Sequence, residues 1–271
     1  MMKSFLAAAL LCATAGSATA VELPPEFAKQ GSIRAAIVPN YPPMEFRDPA
    51  TNTLTGFDVE LGEALGRKLG VKIVWQETSF DQMMPAIATG RVDAILSGMT
   101  DMASRQDTAT FVDYLRNGPR FFAQQSRAAE FKDAMALCGK KVGASRRTSF
   151  PKLIGAWSDA NCGGNPIQFV GTEGSADART QLKQGRLDAA VQGGETLPYM
   201  MDLEPGVYIP IGDVFALQFT GLALSVKEKA LQQAVVEALD ALIADGSYRV
   251  LLAKWKLADY GVKKATINAG Q

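Results

Sequence analysis

Ser97-Gly98-Met99-Thr100, with Arg105 five residues after the threonine, is the stretch of this chain best equipped to hold an anion. A carboxylate taken out of water must have its hydration replaced by hydrogen bonds and an opposite charge. Ser97 and Thr100 offer hydroxyls and Gly98 a main-chain N–H. Arg105, one short helical turn further on, can return to the same point with a bidentate guanidinium. Other groups are scattered: Tyr41 in a Pro-rich segment, Phe80, Arg146-Arg147-Thr148, and Glu195 behind a glycine pair. Adjacent arginines and a lone glutamate are ordinarily solvated, and lone aromatics ordinarily pack in cores. The chain contains no histidine. That removes Ser-His-Asp and Cys-His nucleophile systems and the commonest metal ligand, so neither a metal nor a cofactor is expected.

The elements that must position these groups alternate between strand and helix. Ile33 to Val38 reads as a strand running into the loop Pro39-Asn40-Tyr41-Pro42-Pro43. A helix is expected from about Asp58, with Leu61, Leu65 and Leu69 on one face and Gly70 as its C-terminal stop. Val71 to Trp75 is the next strand. Ser79 and Gln82 have the spacing of a capping box for a second helix, carrying Met83, Met84 and Ile87 inward and ending at Gly90. Such alternation predicts an α/β protein with mostly parallel sheets and flanking helices.

The chain also echoes itself. Gly90-Arg91-Val92-Asp93-Ala94-Ile95-Leu96-Ser97-Gly98 returns as Gly185-Arg186-Leu187-Asp188-Ala189-Ala190-Val191-Gln192-Gly193. Each copy follows a predicted helix, over residues 80–89 and about 176–184. In each a glycine stops the helix and an apolar strand runs into a second glycine. Ile33 to Val38 has a partner in Lys141 to Ala144. Two lobes of like construction follow, and open α/β sheets bind ligands at the carboxyl ends of their strands. Facing lobes would set Gly98 and Gly193 on opposite walls of one cleft.

The N-terminus places the protein. Lys3, the apolar run Phe5 to Ala15 and the small residues of Ala18-Thr19-Ala20 describe a cleavable secretory signal over residues 1–20, too short in its apolar part to span a bilayer. Cys12 follows bulky Leu10-Leu11, which argues against a lipid anchor. The expected product is soluble and exported. With 28 basic and 28 acidic residues there is no case for a nucleic-acid partner. Cys138 and Cys162, the cysteines left after cleavage, are expected to form a disulfide in an oxidising compartment rather than a metal site.

The sequence resembles the polar-amino-acid-binding branch of the periplasmic solute-binding proteins. The stretches that carry the resemblance are Gly-Phe-Asp-Val-Glu-Leu at 56–61, Ser-Phe-Asp at 79–81 with Pro85-Ala86-Ile87, and Gly-Arg-Val-Asp at 90–93. Ser-Gly-Met-Thr at 97–100 with Arg105, Asp-Gly-Ser-Tyr at 245–248 and Lys254-Trp255 complete the set. The resemblance implies a type II periplasmic-binding-protein fold: two lobes joined by a two-strand hinge, closing on one small-molecule ligand. Residues 21–119 and 218–271 would form the first lobe and 120–217 the second, with crossovers near Gly118 to Phe122 and Leu217 to Gly221. It further implies that Ser97, Gly98, Thr100 and Arg105 hold a ligand α-carboxylate and that Thr148 reaches it from the second lobe. Tyr41 and Phe80 would flank the ligand side chain.

Departures from the family pattern bear on the ligand. Where α-amino-acid binders usually place an aspartate for the ammonium, this chain has Gly193, with Glu195 the nearest acid. Arg147 stands where glycine is usual, and Val38 where receptors for lysine and arginine are acidic. Either Glu195 substitutes for the aspartate, or the ligand has no ammonium there. Arg147, if it faces the cleft, would favour an acidic ligand. The implied function is the binding component of an ABC importer, with a membrane permease as partner. The alternatives are a cyclohexadienyl-type dehydratase, with Glu195 as general acid, and a ligand-reporting partner of a sensor kinase or chemoreceptor.

Overall fold

The structure, a computed structural model, describes residues 21–270; the expected signal lies outside the described residues. Helix Phe57–Leu69 forms where the leucine spacing predicts it, burying Leu61, Leu65 and Leu69, and ends at Gly70 with φ +71°. Helix Phe80–Ala88 follows, with Met83 and Ile87 fully buried and Met84 partly so. Ser79 does not form the expected capping box. Its hydroxyl turns instead to the Asp81 carboxylate, a charged acceptor two residues away.

The helices flank two principal sheets. The larger runs in the order Gly261–Ile267, Ala109–Asn117, Gln218–Ser225, Ala94–Ile95, Ser32–Ile37, Lys72–Glu77. The other runs Gln168–Thr172, Lys141–Ser145, Ala189–Gly193, Pro119–Gln124, Tyr208–Ile211. The chain leaves the first sheet between Asn117 and Pro119 and returns to it between Ile211 and Gln218, so each sheet carries its own lobe. Separate apolar cores lie beneath them, one around Phe57, Leu61 and Leu239, another around Phe121, Val142 and Val191.

Both sheets are mixed rather than mostly parallel. Ser32–Ile37 pairs in parallel with Lys72–Glu77 and Ala94–Ile95, and Lys141–Ser145 does so with Gln168–Thr172 and Ala189–Gly193. Pro119–Gln124 and Gln218–Ser225 run antiparallel to their neighbours. These are the first strands after each crossing. A strand arriving from the other lobe starts where its neighbours finish, and no crossover helix turns it round.

The echo is a structural equivalence. Asp93 Oδ2 accepts the Arg34 N–H at 2.8 Å, and Asp188 Oδ2 accepts the Lys141 N–H at 2.8 Å. Each repeated aspartate thus ties its strand to the one that leads into the cleft. Gly90 and Gly185 share φ +70°, but the closing glycines differ: Gly98 is left-handed at +56° and Gly193 has φ −59°. Cys138 and Cys162 are joined as a disulfide, linking a short turn to the C-terminal end of helix Phe150–Asn161.

Candidate functional site

A cavity of about 200 Å³ opens between the lobes. The first lobe contributes Val38, Asn40, Tyr41, Glu45, Ser79, Phe80, Asp81, Ser97, Gly98, Thr100 and Arg105, and the second Ser145, Arg147, Thr148, Phe150, Glu173, Gly174 and Ser175. Strand Ala94–Ile95 delivers Ser97 to Thr100 at its carboxyl end, and the short helix Ala103–Gln106 folds Arg105 back over them. Helices Phe80–Ala88, Phe150–Asn161 and Ser175–Lys183 all begin at the cavity wall. Their N-terminal ends carry partial positive charge, which favours an anion there.

Arg105 is half-buried on this wall. It donates from Nη1 to the Thr100 carbonyl at 2.8 Å, and its guanidinium carbon lies 5.6 Å from the centre of the Phe80 ring. Burial lowers its pKa, and among the described residues it makes no salt bridge. It is a partly desolvated cation that feels the charge of Asp101 but has no carboxylate at salt-bridge distance among the described residues.

Gly98 and Ser97 line the cavity but point their polar groups elsewhere. The Gly98 N–H donates to Asp58 Oδ2 at 2.7 Å, so it is not the open donor that the sequence suggests. Ser97 Oγ donates to Glu45 Oε1 at 2.8 Å and accepts the Val38 N–H at 3.1 Å. Asp58 also accepts the Tyr114 hydroxyl at 2.8 Å. Burial, and then the adjacent Asp58, push Glu45 well above the usual carboxylate range, and burial also raises Asp58. The sequence does not announce this buried acid pair: Asp58 lies in the Gly-Phe-Asp-Val-Glu-Leu stretch, but no local spacing marks Glu45 as its neighbour or Gly98, forty residues on, as its donor.

Thr148 also faces the cavity with its hydroxyl committed, donating to the Ser145 carbonyl at 2.8 Å and accepting the Phe150 N–H at 3.2 Å. Arg147 reaches across the cleft to Asp81 in the first lobe, Nη1 to Oδ2 at 2.8 Å. Asp81 is held below the usual carboxylate range by the Ser79 hydroxyl first and by Arg147 among other groups. Arg147 is therefore engaged by an acid of the opposite lobe, and the structure does not offer it as a free counter-charge for an acidic ligand.

Gly193 and Glu195 are absent from the cavity wall. Tyr41 stands between them and it. The Tyr41 hydroxyl accepts the Gly193 N–H at 3.0 Å and donates to Glu195 Oε1 at 3.1 Å, while its ring packs against Gly98. Gly98 and Gly193 thus face each other with one tyrosine between them. Glu195 is buried, its Oε2 has no hydrogen-bond partner among the described residues, and burial raises its pKa to about 8. It is neither solvated nor placed to touch a molecule in the cavity.

Residues 33–258 match the family model described as bacterial extracellular solute-binding proteins, family 3. A putative ABC transporter arginine-binding protein 2 of Escherichia coli (strain K12) is 30% identical over 262 residues, covering 94% of this chain and 99% of the relative. Among solved structures, an ancestral arginine-binding protein bound to arginine superposes with a TM-score of 0.75 at 26% identity, over 83% of this chain and 98% of the other. The ancestral amino acid-binding protein AncCDT-1, a precursor of cyclohexadienyl dehydratase, gives 0.75 at 27%, over 85% and 97%. With its two lobes, its interlobe cavity and a match along nearly its whole described length, the chain belongs to the bacterial extracellular solute-binding proteins, family 3.

Proposed function

We propose that this protein is the substrate-binding component of an ABC importer, capturing an amino acid or related small carboxylate between its lobes and presenting it to an inner-membrane permease. The observation that carries this reading is Arg105: a half-buried guanidinium on the cavity wall, in no salt bridge among the described residues, beside three helix N-termini. The names of its relatives support the same reading, arginine-, histidine- and cystine-binding proteins among them. Thr100 and Thr148 complete the carboxylate site if their hydroxyls turn to the ligand, and Tyr41 and Phe80 form its apolar walls. The lobes, residues 21–119 with 218–271 and residues 120–217, rock about the two crossovers. A ligand that touches both shifts the balance toward the closed form that the permease reads.

Binding, rather than turnover, is the activity. Glu195, the acid that a dehydratase would use, sits behind Tyr41 and away from the cavity. The protein works as a periplasmic monomer after loss of residues 1–20. N-terminal sequencing of the exported protein is expected to begin at Val21.

Calorimetry of ligand-stripped protein against a panel of amino acids and small organic acids tests the proposal. Arg105→Ala is expected to lower the affinity of the best ligand about 30- to 3,000-fold, since one partner of a buried charge pair is lost. Its melting temperature should stay near wild type. Affinity within threefold of wild type would place the carboxylate elsewhere.

A further inference from the structure

Three acids stand on the cavity wall, and the chain engages each of them. Glu45 is hydrogen-bonded to Ser97 and tied to buried Asp58. Glu173 pairs with Arg146 of its own lobe at 2.9 Å. Asp81 differs, because its partner Arg147 comes from the opposite lobe. Asp81 sits in the first turn of helix Phe80–Ala88, and Arg147 in the loop between strand Lys141–Ser145 and helix Phe150–Asn161. Both line the cavity, so the Arg147 guanidinium occupies the acid that a second cation in the cleft would seek.

The geometry points to Arg147 as a specificity-determining residue that turns away ligands with a cationic side chain by holding Asp81 from across the cleft. The inference rests on the reading that Arg105 takes the ligand carboxylate. With that end fixed, an uncharged side chain lies alongside the Arg147–Asp81 pair and leaves it intact. A guanidinium or ammonium side chain meets an acid already neutralised and a like charge beside it. Such a ligand must displace an intramolecular competitor, which is always present at high local concentration. Specificity is here built by an unfavourable juxtaposition as well as by favourable contacts.

The test compares L-arginine with L-citrulline, its uncharged near-isostere, by calorimetry on the ligand-stripped mature chain. In wild type, citrulline is expected to bind more tightly than arginine. In Arg147→Ala the arginine-to-citrulline affinity ratio should rise about tenfold, as removal of a like charge and release of an acid require. Arg147→Lys keeps the charge and should keep the exclusion. Adding Asp81→Asn to Arg147→Ala should cancel the gain. Arg147 is more than half exposed, so these variants are expected to fold, and thermal melts check that. Submicromolar arginine binding to wild type, or an unchanged ratio in Arg147→Ala, overturns the inference, as does arginine binding that stays undetectable in that variant. Arg105→Ala made on Arg147→Ala separates the two readings. If the gained arginine binding survives that change, the role of Arg147 stands and the carboxylate assignment falls.

Discussion

The Glu195 carboxyl fills the space that a side chain at Gly193 would need. A Cβ built on Gly193 would lie 2.1 Å from Oε1 and 2.3 Å from Oε2 of Glu195. The two positions therefore compete for one volume, which Tyr41 closes off from the cavity with its hydroxyl.

Gly193→Asp is accordingly expected to destabilise the protein by about 1–3 kcal/mol through overpacking, and by more where the two acids are both ionised. Combining it with Glu195→Ala should recover most of that loss. A double-mutant cycle of urea denaturations measures the coupling, expected at about 0.5–3 kcal/mol. Strictly additive effects would show that the two side chains do not share the site.

Stability should depend on pH through Glu195. Its folded value of about 8 lies above the ordinary carboxylate value because burial disfavours the charge. The folded protein thus holds a proton that the unfolded chain has released. The sign follows: stability is highest below the unfolded value, falls as pH rises from about 4.5, and levels off above about 8. Glu195→Gln should flatten this slope. Asp113, also raised to about 7 by burial, titrates in part of the same window, so the readout is the difference between wild type and variant.

Asp58→Ala should act on binding without Asp58 touching the cavity. It frees the Gly98 N–H and the Tyr114 hydroxyl together, at a cost of about 1–3 kcal/mol for each buried group left unpaired. The expectation is a lower melting temperature together with weaker ligand binding, as the turn over Ser97 to Thr100 loosens. Normal affinity in a folded Asp58→Ala protein would show that the turn holds its shape unaided.

Reduction of Cys138–Cys162 should cost about 3 kcal/mol, the chain-entropy value for a loop of this length, across a sequence separation of 24. The difference in urea midpoint with and without reductant reads it. An unchanged midpoint, with two free thiols confirmed by mass spectrometry, would mean that the unfolded lobe is already restricted.

Features that arise from local rules were legible in the order of the amino acids. Leucines at helical spacing and Gly70 placed helix Phe57–Leu69, because one apolar stripe must be buried and glycine tolerates the left-handed stop. The repeated Asp93 and Asp188 marked equivalent turns, and two cysteines in an exported chain left one pairing. Ser97, Thr100 and Arg105 were found together because a single strand end and one helical turn bring them there. The tertiary structure decided where the polar groups point. Gly98 bonds to Asp58 across 40 residues, Arg147 to Asp81 across 66, and Tyr41 to Glu195 across 154. A buried donor or acceptor takes whichever partner is desolvated beside it. Which groups those are is settled only when the two lobes and their sheets pack together.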